Sequence, residues 1–123
     1  MGYSRAVRVG NMIFISGTTA TDAAGAIVGA TAYAQAQQAL RNLQRGLEMA
    51  GATLADVVRT RVFVRHITDW EEVGRAHGEV FANIRPVSTM VEVSGFVSPA
   101  MLVEIEADAI LDALGPSQPG SED

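Results

Sequence analysis

Residues 101–111 alternate with a period of two. Met101, Val103, Ile105, Ala107 and Ala109 fall on one side; Leu102, Glu104, Glu106, Asp108 and Ile110 fall on the other. Consecutive side chains point to opposite faces only in a strand, so this run predicts a β-strand with one apolar and one largely acidic face. Residues 57–65 form its counterpart, with Val58, Thr60, Val62 and Val64 on one side and Arg59, Arg61, Phe63 and Arg65 on the other. Two such strands restrict the chain to a sheet with an apolar face to be covered. The opposite face mixes charge with Phe63, Leu102 and Ile110.

The cover is readable in the remaining periodicity. Ala36, Leu40, Leu43, Leu47 and Ala50 form one helical stripe, predicting a helix over 31–50 with Gly51 as its C′ residue. Gly46 inside it marks a close packing contact. A second helix is predicted from Thr68, spaced from Glu71 as in a capping box, to the Arg85-Pro86 stop. Its inner face carries Val73, His77, Phe81 and Ile84. A hairpin spans 3–17 around the turn residues Gly10-Asn11, and a loop with a short edge strand at 26–28 follows. Residues 53–56 read as a capped turn and 88–94 as a further strand. The order is ββ(β)αβαββ. It describes one α+β domain over 1–114, a single mixed sheet with two helices packed on one face. The Pro-, Gly-, Ser- and acid-rich residues 115–123 read as a disordered tail.

Absent residue types narrow the chemistry. The 123 residues include no Cys, which removes disulfides, thiolate catalysis and Cys-ligated zinc. There is no Lys, so neither a Schiff-base lysine nor ordinary pyridoxal phosphate chemistry is available. A net charge of −5 argues against a nucleic-acid surface. The two histidines, His66 and His77, belong to no H-E-x-x-H pattern, and there is no G-x-S-x-G or Walker A sequence. No metal and no cofactor is expected. Carboxylates, hydroxyls, Arg, the backbone and water remain. No apolar run reaches the ~20 residues of a membrane span, and no secretory signal is recognisable, so a cytoplasmic location is expected.

The charged face has two readings. Arg59, Arg61 and Arg65 facing Glu104, Glu106 and Asp108, with Glu92 on a third strand, describe a solvated cross-strand ladder. The apolar residues on the same face suit a subunit interface.

Several segments, in order and at their spacings, carry a resemblance. They are Tyr3 ahead of 9–13 (VGNMI), then 15–18 (ISGT), 50–58 (AGATLADVV), 62–64 (VFV), 89–93 (TMVEV) and 103–107 (VEIEA). The chain resembles the Rid (YjgF/YER057c/UK114) family, also labelled endoribonuclease L-PSP. The resemblance implies a chorismate-mutase-like YjgF fold and a homotrimer whose sheets pack together. It also implies small-molecule clefts between subunits, and cofactor-free hydrolysis of reactive enamines or imines. By residue, it makes Glu104 the group that positions or activates water, and Tyr3, Ser16, Gly17 and the backbone at Met90 the pocket. The carboxylate-binding Arg of deaminating members falls at Ser88, and an Asn of their second helix at Gly74; both are departures.

Each site residue also has a plainer role. Glu104 can be a ladder rung, Tyr3 a partly buried aromatic, Ser16 a turn residue, Met90 core, and His77 a satisfied core histidine. Arg85, three residues before Ser88, can substitute for the missing Arg, or can simply end the helix as a cation favoured by its dipole. Arg75 is a further candidate for the cleft. The expected reaction is enamine or imine hydrolysis by Glu104, with 2-imino acids poor substrates because of Ser88. The alternative is a non-catalytic metabolite-binding or sensing protein. RNA cleavage fits the charge least.

Overall fold

The computed structural model describes residues 1–111. The expected tail at 115–123, and the last residues of the expected domain, lie outside the described residues. Two helices pack on a single mixed five-stranded sheet, as the patterning predicts.

The chain opens with a hairpin, β1 (Ala6–Val9) and β2 (Met12–Thr18). Gly10 turns it at φ 61, a left-handed conformation that glycine adopts without a Cβ clash. The expected edge strand at 26–28 reduces to one isolated bridge, Thr21 to Ile27. Asp22 explains why: its Oδ1 accepts from the amides of Ala24 and Ala26, folding the segment into a turn instead of a ladder.

Helix α1 (Ala32–Met49) begins at Thr31, whose hydroxyl accepts from the Ala34 amide, and ends before Gly51 at φ 89. It buries more than the expected stripe. Gln35, Ala39, Asn42 and Gly46 are also inside. The two amides are satisfied. Gln35 Nε2 donates to the carbonyls of Gly29 and Ala100 (3.1 and 2.9 Å), and its Oε1 accepts from Leu102 N. Asn42 Nδ2 donates to the carbonyls of Thr19 and Thr21. The close packing expected of Gly46 is not seen: a Cβ there would stand 3.8 Å from Ile15, an ordinary van der Waals contact.

A capped turn at Leu54–Asp56, closed by a Thr53–Asp56 capping box, leads into β3 (Val57–Val64). Here a bulge corrects the simple alternation. Val57 pairs with Ala109 and Arg59 with Asp108, so Val57 rather than Val58 faces the core. Helix α2 (Trp70–Phe81) follows a 3-10 turn at Ile67–Asp69. The expected capping box at Thr68 does not form, because helix α2 starts after Asp69 and no side chain caps it. Ala76 joins Val73 and Phe81 on the buried face, while His77 is only half-buried.

Ile84 N and Arg85 N both donate to the Phe81 carbonyl, and Arg85 sits at φ 57. Pro86 disfavours right-handed helical angles at Arg85, so the chain leaves the helix through the left-handed region. Strands β4 (Val87–Glu92) and β5 (Val103–Ile110) complete the sheet in the order β1-β2-β5-β3-β4. Only β3 and β4 are parallel, joined over α2; all other pairs are antiparallel.

The core lies between the helices and one sheet face. Ile13, Leu43, Leu47, Val64, Val73, Val103, Ile105 and Ala107 have no solvent exposure. Replacing Leu43 with Ala is expected to destabilise the fold by about 2–5 kcal/mol, read as a lower denaturant midpoint at unchanged m-value.

Candidate functional site

The uncovered sheet face holds the carboxylate chemistry. Strand β5 presents Asp108, Glu106 and Glu104, and β3 places Arg59, Arg61 and Phe63 opposite them in register. Arg59 approaches Asp108 at 3.9 Å, and Arg61 approaches Glu106 at 3.2 Å and Asp108 at 3.5 Å. The ladder stops there, because Glu104 faces a phenylalanine. Arg65 turns its guanidinium to the Pro99 carbonyl instead, and Glu92 accepts from the Ile67 amide at 2.9 Å. Glu92 pairs with the inward-facing Val64, so neither it nor Arg65 joins the ladder expected of them. Glu104 is left with no ion pair or hydrogen bond among the described residues. Partial burial, and secondarily the charge of Glu106, raise its pKa above the ordinary glutamate value.

A second bulge brings β2 against this carboxylate. Ile15 pairs with Ala107 and Thr18 with Ile105, so Ser16 and Gly17 together span a step that β5 makes with one residue. Ser16 Oγ donates to the Arg5 carbonyl at 3.1 Å, and Thr18 Oγ1 donates to the Ser16 carbonyl at 2.9 Å, pinning the bulge. A Cβ on Gly17 would collide with the Glu104 carboxyl, whose Cδ would stand 2.7 Å away. Glycine leaves this space to the Glu104 carboxylate; a larger residue would displace it. A glycine interrupting a strand pattern is the signal that locates such a bulge in a sequence.

The remaining expected site residues lie elsewhere. Ser88 pairs with Thr60 and Met90 with Val62, both inward-facing positions of β3, so both lie on the helix side of the sheet. Glu104 pairs with Phe63 and Phe63 with Val91. Ser88 is therefore two strands across and three residues along from Glu104, roughly 10 Å in each direction, and on the opposite face. Tyr3 is 69% exposed. Arg85 is exposed at the helix exit, and Arg75 stacks on Tyr33 at 3.9 Å. One chain thus gathers these expected residues into two groups: Glu104 with Ser16 and Gly17, and Ser88 with Met90. A concavity of about 280 Å³ against Arg5, Asp22, Asn42 and Arg45 includes none of these five residues.

Periodicity alone misses a polar chain under Ser88. Thr60 Oγ1 lies 2.7 Å from Ser88 Oγ and 2.8 Å from His77 Nε2. Thr60 is fully buried, Ser88 is exposed, and burial lowers the pKa of His77. His77 also stacks on Phe81, with ring centroids 4.6 Å apart. A Cβ on Gly74 would meet nothing within 4 Å. Among the described residues no group of His, Asp and Glu could hold a metal, and no helix is long and apolar enough to cross a membrane.

A family model described as endoribonuclease L-PSP matches residues 1–111. The fold resembles the crystal structure of a YjgF/YER057c/UK114 family member from Mycobacterium tuberculosis, with a TM-score of 0.82 and 50% identity, covering 89% of this chain and 87% of that one. An uncharacterized protein of Streptomyces coelicolor is 34% identical over 92% of this chain and 84% of its own length. The 2-iminobutanoate/2-iminopropanoate deaminase of Escherichia coli is 33% identical over 88% of this chain and 86% of its own length.

Replacing Gly17 with Ala is expected to push the Glu104 carboxylate into solvent. NMR titration should then show the Glu104 pKa falling toward the ordinary glutamate value, with little change in melting temperature because Gly17 is exposed.

Proposed function

The chain belongs to the endoribonuclease L-PSP family, and on that premise we propose that it hydrolyses a reactive imine or enamine to a carbonyl compound and ammonia without a cofactor. The observation that carries this reading is Glu104: a half-buried carboxylate without a cation, held against a glycine bulge, with its pKa raised. Such a group exchanges protons near neutral pH better than an ion-paired one. The naming of a relative at 33% identity as an imine deaminase points the same way.

In this mechanism the imine reacts in its protonated form: water adds its oxygen to the C=N carbon while Glu104 takes a proton from the water, and the iminium nitrogen becomes the amine of a carbinolamine. Glu104 returns the proton to that nitrogen, the C–N bond breaks with its electrons going to nitrogen, and ammonia leaves. The hydroxyl proton passes to the Glu104 carboxylate as the carbonyl forms, replacing the proton that the imine brought in, and then returns to solvent. The balance is imine plus water to carbonyl plus ammonia, with no redox change.

The two groups lie on opposite sheet faces, so a single cleft would hold both only where a second copy contributes one of them. We assign the uncovered face, with exposed Val7, Val9, Met12, Phe14 and Val91 beside the charge ladder, to packing in a homotrimer. Each cleft would then take Glu104, Ser16, Gly17 and Tyr3 from one subunit and Ser88 and Met90 from its neighbour. Sedimentation should give three times the chain mass, and Phe14→Glu should lower both mass and turnover.

Imines made in situ by an amino-acid or amine oxidase, with a competing trapping nucleophile, provide the assay. Diversion to the carbonyl compound is expected, reduced about 10²–10⁴-fold by Glu104→Gln. The rate should fall as pH drops through the Glu104 pKa, at a higher pH than an ordinary glutamate would give, because the base must be ionised. Equal turnover by wild type and Glu104→Gln would sink the reading. Ser88, a neutral hydroxyl where the resemblance implies a carboxylate-binding Arg, favours a second reading, metabolite binding without turnover. Saturable thermal stabilisation with no product would establish that one.

A further inference from the structure

The hydrogen-bonded chain His77–Thr60–Ser88 has no part in the mechanism above. It starts on α2, passes through the fully buried Thr60 and ends at an exposed hydroxyl on β4. Both links are short, 2.8 and 2.7 Å. Thr60 has one hydroxyl proton and two partners, a ring nitrogen and a hydroxyl oxygen; it is fully buried and its hydroxyl bonds no other described group, so its proton goes to one partner and the other partner donates to it. If His77 Nε2 carries a proton, it donates to Thr60, Thr60 donates to Ser88, and the Ser88 proton points outward. If Nε2 is bare, Ser88 donates to Thr60, Thr60 donates to His77, and Ser88 offers only lone pairs. The tautomer of a residue that never touches the ligand therefore decides what Ser88 presents.

Neither arrangement places charge at position 88. The nearest ionised groups along the chain are Arg85 and Glu92. Arg85 lies before β4, beyond Pro86, where the backbone at φ 57 departs from strand geometry. Glu92 is already bonded to the Ile67 amide. A carboxylate brought to the Ser88 hydroxyl would lose hydration and gain only a neutral partner from it, whereas a carbonyl or amide needs one neutral partner.

We propose that the His77–Thr60–Ser88 chain is a specificity device that selects substrates with an uncharged carbonyl, amide or hydroxyl where the relatives' carboxylate would sit, His77 acting as a positioning residue that sets the direction of the Ser88 hydroxyl. The inference rests on the cleft proposed above and names the substrate class of that site.

Pyruvamide and pyruvate test it, because they share a ketone and differ in the charge of the neighbouring group. Binding to the full chain is measured by titration, with the ¹⁵N shifts of the His77 ring followed by NMR. Pyruvamide should bind at least ten-fold tighter than pyruvate and drive the His77 ring to one tautomer. Thr60→Val should weaken pyruvamide about three- to ten-fold, the range of one neutral hydrogen bond, and abolish the tautomer response. Thr60→Ser, which keeps the hydroxyl, should restore both; Ser88→Arg should reverse the ligand preference. Pyruvate binding as tightly as pyruvamide overturns the proposal, as does absence of binding by either. A folded Thr60→Val protein with unchanged pyruvamide affinity also overturns it. The two readings fail separately. Pyruvamide binding with the Thr60 dependence, but no turnover of any imine, removes hydrolysis and leaves the selectivity. Turnover that prefers 2-imino acids over uncharged aldimines removes the selectivity and leaves hydrolysis.

Discussion

The pairing of β5 between β2 and β3 is the constraint on which the rest depends. Its register puts Val103, Ile105, Ala107 and Ala109 under the helices and Glu104, Glu106 and Asp108 on the opposite face. A slip of one residue would bury three carboxylates and expose the core, so the register is enforced by the whole apolar face. With that register set, Arg59 and Arg61 meet Asp108 and Glu106, and Phe63 meets Glu104. The ladder and the candidate active carboxylate are consequences of one alignment.

Helix α1 holds this sheet by more than apolar contact. Its two buried amides bond the carbonyls of loops that would otherwise present unsatisfied backbone to the interior. Gln35 ties residues 29, 100 and 102 together just ahead of β5, and Asn42 ties down residues 19 and 21 just beyond the Ser16–Gly17 bulge. Both sides of the Glu104 neighbourhood are thereby anchored to the same helix. A bulge supported in this way can hold a small residue against a carboxylate without relying on a flexible loop.

Sheet, helices and element order were legible because they follow from periods of two and 3.6 residues, which the sequence displays directly. The same patterns also place Glu104 on the charged face and Ser88 near the start of β4. They fail where one residue breaks the period. The bulge at Val57–Arg59 and the one at Ser16–Gly17 each add a residue to one strand only, and no alternation pattern announces that. Gln35 and Asn42 read as polar interruptions of a helix because their partners are distant carbonyls. His77 fits a core-facing stripe in sequence, yet its partner Thr60 is on a strand seventeen residues earlier. Edge strand 26–28 and the Thr68 capping box fail because local side chain–backbone bonds and a 3-10 turn compete for the same residues.

A charge ladder and a functional carboxylate are usually competing explanations for the same acidic strand; here the composition of β3 reconciles them. Three acids on β5 face two arginines and one phenylalanine. Had residue 63 been a third Arg, Glu104 would be ion-paired, its pKa would be drawn down, and its lone pairs would be occupied. Phe63 instead contributes apolar surface, which disfavours the ionised form, while the paired Glu106 adds a like charge. The three ion pairs engage the neighbouring carboxylates Glu106 and Asp108 with Arg59 and Arg61. What makes Glu104 chemically distinct is therefore not its own sequence context, a repeating V-E-I-E-A alternation, but the residue that β3 places across from it.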